Sequence, residues 1–235
     1  VPQARAREGP EVSYVSNAIN IFVMVFAALF PVVNPLGSAP IFLNFVRKCS
    51  PTVREQVARQ VAIYGFILLL GSLLFGAQIL LFFGVSLPVL RVAGGAVVMA
   101  VGWSILHQGD EPADRTASQE LSETQAQNEA FYPLTLPLTV GPGSIATTIA
   151  LSATHKPTWQ VDLIESLSSL IGALAGLIAV ALIVYFAFRE APTLERVLGK
   201  NGTNVLVRLF AFILFAIGVE IAWLGMRELL AQVPR

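Results

Sequence analysis

Charge sits at a few stations along this chain, and the stretches between them set what it can fold into. From Glu11 to Arg47 there are 35 residues without Asp, Glu, Lys or Arg. Arg59 to Arg91 gives 31, Arg91 to Asp110 gives 18, Glu129 to Lys156 gives 26, and Glu165 to Arg189 gives 23. Arg208 to Glu220 gives 11, and the apolar character resumes beyond it. A helix needs about 20 apolar residues to cross the hydrocarbon core of a bilayer. The gaps therefore predict six crossings, near residues 17–46, 58–83, 88–107, 130–153, 163–188 and 205–226. With 13% charged residues, against roughly a quarter in soluble domains, the chain cannot cover a globule with a charged surface. An ordinary cytosolic enzyme, a disordered protein and a basic nucleic-acid binder are excluded. The fold class expected is an all-α polytopic membrane protein.

The punctuation between spans is consistent with this. Ser50-Pro51 reads as an N-cap and a first-turn proline. Ser86-Leu87-Pro88 after Phe83-Gly84 reads as a tight turn. Thr158 is expected to cap span five, and Thr203 or Asn204 span six. Segment 108–129 carries six acidic residues and one arginine, and reads as a flexible loop outside the membrane. It divides the chain into repeats at 17–107 and 130–230, after a tail at 1–16. Lys and Arg set orientation. The loops after spans one, three and five hold nine of them, the other side six. Both termini are placed outside and the acidic loop inside. Residues 1–10 read as either a mature N-terminus or a remnant.

The strongest signal is internal. FPVVNPLGSAP at 30–40 echoes YPLTLPLTVGP at 132–142. Pro31, Pro35 and Pro40 match Pro133, Pro137 and Pro142 at a constant offset of 102. VLRVAGG at 89–95 echoes LVRLFAF at 206–212, placing Arg91 opposite Arg208. Three spans per half invert the second copy, the inverted-repeat plan common among secondary transporters. Each proline removes a backbone donor and crowds the preceding turn. Three within ten residues, with Asn34 and Gly37 in one copy and Gly141 and Gly143 in the other, predict that spans one and four break near their middles. Such breaks survive at membrane depth only against protein or a water-filled cavity. A substrate site is expected where the two meet.

These residues resemble a known family. Asn34 to Pro40, Pro137 through Gly141-Pro142-Gly143-Ser144, Arg91 to Gly95 and GKNGTNVLVRL at 199–209 are similar to the MarC family, UPF0056, also called the neutral amino acid transporter family. The resemblance covers about 17–226. It implies a bacterial or archaeal inner-membrane protein of six helices within the LysE superfamily, with small neutral amino acids such as glycine and alanine, and proton coupling, as the implied activity. Glu220 departs from the pattern, where an uncharged residue is expected.

Candidate residues follow from the motifs. Asn34 offers an acceptor and two donors beside a break, either to a ligand or to its own half-helix. Ser38, Ser144, Thr135 and Thr139 could line a pocket or bond back to a carbonyl one turn earlier. Gly37, Gly141 and Gly143, with Pro35, Pro137 and Pro142, could bare backbone to a ligand or permit close packing. Arg91 and Arg208 could serve coupling or gating, or snorkel to lipid headgroups. Glu220 could handle protons or reach the interface. Gly172 and Gly176 form a GxxxG, for packing within one chain or across a homodimer. Trp103, Trp159 and Trp223 fit an aromatic belt. Cys49, the single cysteine, excludes an intrachain disulfide. No cofactor and no metal are expected, and no enzyme motif is present. The expected partners are a small solute and membrane lipids. The alternatives to a secondary transporter are a passive channel and a membrane scaffold.

Overall fold

The computed structural model describes residues 10–107, 121–154 and 163–232. Within them the chain forms helices joined by turns. They are α1 (Pro10–Val33), α2 (Pro35–Phe45), α3 (Pro51–Phe82), α4 (Leu87–His107), α5 (Glu123–Asn128), α6 (Pro142–Thr154), α7 (Leu163–Arg189) and α8 (Ala191–Ala231). Among the described residues, five helices have apolar stretches long enough to cross a membrane: Tyr14–Val33, Pro51–Phe82, Leu87–His107, Ile164–Arg189 and Asn201–Ala231. The all-α polytopic architecture expected from the charge gaps is present.

Span one breaks at Asn34, which adopts a left-handed conformation (φ 51°, ψ 55°) between α1 and α2. Span four departs from a pair of half-helices. Residues 129–140 run as consecutive turns before α6 begins at Pro142. Pro133 and Pro137 supply no N–H, so a regular ladder cannot form there. The segment closes wider loops instead, with Leu134 N donating to Glu129 O and Val140 N to Thr135 O. Both prolines follow cis peptide bonds.

Three further boundaries differ from the sequence reading. α1 begins inside the stretch assigned to a tail. The end of the acidic loop folds: Ser122 and Gln125 form a capping box at the start of α5, and Leu121 N donates to Phe45 O at 3.0 Å. The loop's first part, like Thr158 and Trp159, lies outside the described residues. Helix α8 starts at Ala191, so Thr203 and Asn204 are interior rather than caps, and Gly199 (φ 65°, ψ 176°) kinks it. Ser50 does cap α3, and Gly84 (φ 67°) turns the chain into α4.

The packing repeats across the two halves. α2 lies against α7 and α8 as α6 lies against α3 and α4, while α4 packs most extensively on α8. Glycines set the approach of α4 and α8. A Cβ on Gly102 would lie 2.7 Å from Phe215 N, and one on Gly218 would lie 2.5 Å from Met99 N. Gly172 and Gly176 seat on Ala18 and Val25 of α1, so the GxxxG packs within the chain. Burial concentrates around Leu29, Val33, Phe42, Val57, Val61, Leu134, Leu177 and Phe188. Large apolar side chains such as Phe75, Leu81, Phe186 and Leu209 point outward, as lipid-facing residues do. Trp103 and Trp223 are among the outward residues.

One end of the bundle carries a polar belt. Arg47 pairs with Glu195 at 2.9 Å, Arg189 with Glu55 at 3.5 Å, and Ser50 N donates to Glu123 Oε1 at 2.9 Å. This is the end that bears the acidic loop.

Candidate functional site

The two proline breaks face one cavity of about 350 Å³. That is at the small end of the range for ligand clefts, about 300–1,000 Å³. Its floor lies halfway along α4. There Val98 packs with Val32 of α1 and Leu214 of α8, and stands directly over Gly143 of α6. From that level the wall continues through Ile41, Asn44 and Phe45 on α2, Val101, Ser104 and Ile105 on α4, and Val207 on α8. The cavity therefore runs from mid-depth toward the end that carries the polar belt. No Asp, Glu, Lys, Arg or His lines it among the described residues.

Of the residues singled out from sequence, Asn34, Gly37, Ser38, Pro137, Thr139, Gly141, Pro142, Gly143 and Ser144 are brought together on this wall. Pro35 and Thr135 are buried but off it. Pro35 forms the first turn of α2, and Thr135 donates to Ala130 O at 2.6 Å. Arg91, Arg208 and Glu220 are also off the wall. Arg91 forms an ion pair with Glu228, linking the start of α4 to the end of α8. Arg208 is exposed. Glu220 is exposed on α8, whose neighbouring Gly218 and Ala222 face Gly95 of α4.

The polar groups on the wall divide into used and unused. Ser38 Oγ donates to Asn34 O at 2.9 Å, Ser144 Oγ to Gly141 O at 2.9 Å, and Thr139 Oγ1 to Leu134 O at 2.8 Å. These hydroxyls brace the breaks. Asn34 Oδ1 accepts from Gly37 N at 3.1 Å and caps α2. A Cβ at Gly37 would lie 2.7 Å from Asn34 Oδ1 and 2.8 Å from its Cγ, so any larger residue there would push the Asn34 amide from its capping position. Asn34 tolerates the left-handed backbone better than most residues do, and its side chain replaces the N–H partner that the break removes. The residue is 6% exposed, and no described residue accepts from its Nδ2. Asn44 and Ser104, on the cavity wall toward the polar belt, were not among the residues singled out from sequence. Asn44, an isolated polar residue in an apolar run after Pro40, is a signal that could have found the first.

The family model described as "MarC family integral membrane protein" matches residues 19–230. A UPF0056 membrane protein of Buchnera aphidicola subsp. Schizaphis graminum is 30% identical over 214 residues, covering 91% of this chain and 95% of its own. The UPF0056 membrane protein YhcE of Escherichia coli K12 is 32% identical over 208 residues, covering 88% and 92%. The UPF0056 inner membrane protein MarC of Salmonella arizonae is 29% identical over 211 residues, covering 86% and 92%. No solved structure matches. An inverted pair of proline-broken spans, the apolar helices that frame it and the match along most of the sequence lead to one statement: this chain belongs to the MarC family of integral membrane proteins.

Proposed function

We propose that the protein is a secondary transporter of small neutral solutes, with small neutral amino acids such as alanine and glycine as substrates and a proton gradient as driving force. One observation carries the reading: the broken spans of both halves meet in a cavity that no ionisable side chain lines among the described residues. Broken helices at the contact of inverted repeats are the usual location of a transporter's substrate. A site without fixed charge suits a solute of zero net charge, because a net charge in low dielectric needs a partner. The protein is read as non-enzymatic, with solute and lipid as its partners. The reading puts it in the inner membrane, the location that the printed name of the Salmonella relative gives for that protein, with both termini outside, as the Lys and Arg distribution suggests. In this orientation the cavity opens inward, and transport requires a second state open to the other face.

The test is uptake of labelled alanine and glycine into liposomes holding the purified protein under an inward proton gradient, with Asn34→Ala as control. Saturable, gradient-dependent uptake that the substitution abolishes is the expected result. Flux that never saturates would replace the carrier with a channel. No flux from folded protein would overturn the amino acid assignment.

A further inference from the structure

We propose that the N-terminus of α6, completed by the side-chain amide of Asn34, is a seat for a carboxylate. The inference deepens the transport reading above and rests on it. Helix α6 starts inside the cavity, where Gly141, Pro142, Gly143 and Ser144 form its wall. Pro142 has no N–H. Ile145 N donates to Gly141 O at 3.2 Å, but no carbonyl in the preceding turn and no side chain among the described residues accepts from Gly143 N or Ser144 N. The hydroxyl best placed to cap this end, Ser144 Oγ, is spent as a donor to Gly141 O. Two backbone donors and the positive end of a 13-residue helix are therefore left at the cavity. Such an end binds anionic oxygens without any basic residue.

An independent group points to the same occupant. Asn34, 6% exposed, lies on the other break and contributes to the same wall. Its Oδ1 is held by Gly37 N, which fixes which way the amide faces and leaves Nδ2 as an unused donor. Asn34 lines the cavity and no described residue accepts from Nδ2, so this donor is free to meet a ligand oxygen. The three unused groups are all donors, so the ligand group they fit is an acceptor with two oxygens.

The experiment is calorimetric titration of purified protein in detergent with L-alanine, L-alaninamide and propionate, repeated on Asn34→Asp. That substitution keeps the cap on Gly37 and exchanges the free donor for negative charge. Alanine binding with alaninamide at least tenfold weaker, and alanine weakened about tenfold to a hundredfold in the variant, is the expected result. If the variant does not fold, the comparison of alanine with alaninamide on the native protein decides. Equal binding of alanine and its amide, or undiminished alanine binding to folded Asn34→Asp, overturns the seat while leaving transport intact. Propionate binding without alanine binding keeps the seat and sinks the amino acid assignment. No binding by any carboxylate overturns the seat.

Discussion

Gly218 of α8 and Gly71 of α3 are both helical glycines, and the same substitution should move stability in opposite directions. Replacing glycine by alanine inside a helix gains about 0.5–1 kcal/mol from backbone entropy. At Gly71 a Cβ would meet nothing within 4 Å, so that gain should appear nearly whole. At Gly218 a Cβ would lie 2.5 Å from Met99 N and 2.9 Å from Gly95 O. Carbon contacts are most favourable at about 3.5–4.0 Å, so α8 must move off α4 by the better part of an ångström. The obstacles are backbone atoms and cannot swing aside. Overpacking of this kind costs typically 1–3 kcal/mol, which outweighs the propensity gain and leaves about 1–2 kcal/mol of net destabilisation. Chemical unfolding in mixed micelles, followed by far-UV circular dichroism, measures both variants against the native protein. Stabilisation of Gly218→Ala equal to that of Gly71→Ala would refute the claim that close α4–α8 contact holds the cavity wall.

Three further outcomes are expected. Asn34→Ala should be less stable than Asn34→Gly by about 1–2 kcal/mol, since both lose the cap but only alanine bears the left-handed backbone strain; unfolding midpoints compare them. Arg91→Glu and Glu228→Arg should each destabilise the junction of α4 and α8, and the double exchange should restore most of the loss, read as coupling in a double-mutant cycle. Ser50, through its side chain and its backbone, holds the Glu123 carboxyl below its ordinary value. A depressed carboxyl contributes docking energy above its unfolded pKa and loses it as pH falls through the folded one. A nitroxide on Thr124→Cys, in a Cys49→Ser background, should therefore turn mobile on acidification below about pH 4, and Glu123→Gln should be mobile at neutral pH already.

The membrane spans were legible because hydrocarbon excludes charge, and each gap between charges wide enough to cross contained a helix or a broken segment. The break at Asn34 was legible too, since Pro31, Pro35 and Pro40 cannot share one continuous ladder. What lay beyond reach was the path through 129–140. Its prolines forbid a helix without saying which turns replace it. The short helix α5 was legible in principle: Ser122 and Gln125 spell a capping box, but the acidic composition around them spoke for a loop. The start of α8 had its own mark in Pro192, a residue suited to a first turn. The outward face of Glu220 follows from Gly218 and Ala222, small residues that mark the packed side of α8. The union of Asn34 with Gly143 and Ser144 in one cavity depends on how the halves cross, and no local pattern encodes that. The offset of 102 only hinted at it.

The central claim is that this cavity is the occupied site of a transport cycle. Val101→Cys, in a Cys49→Ser background, places a thiol on its wall. The rate of its modification by a membrane-impermeant thiosulfonate, applied from the face of the acidic loop, tests the claim directly. Rapid reaction from that face, slowed by alanine with the same half-saturation as uptake, is the expected result. Reaction from the opposite face alone, or a rate indifferent to alanine in a protein that still transports it, would contradict it.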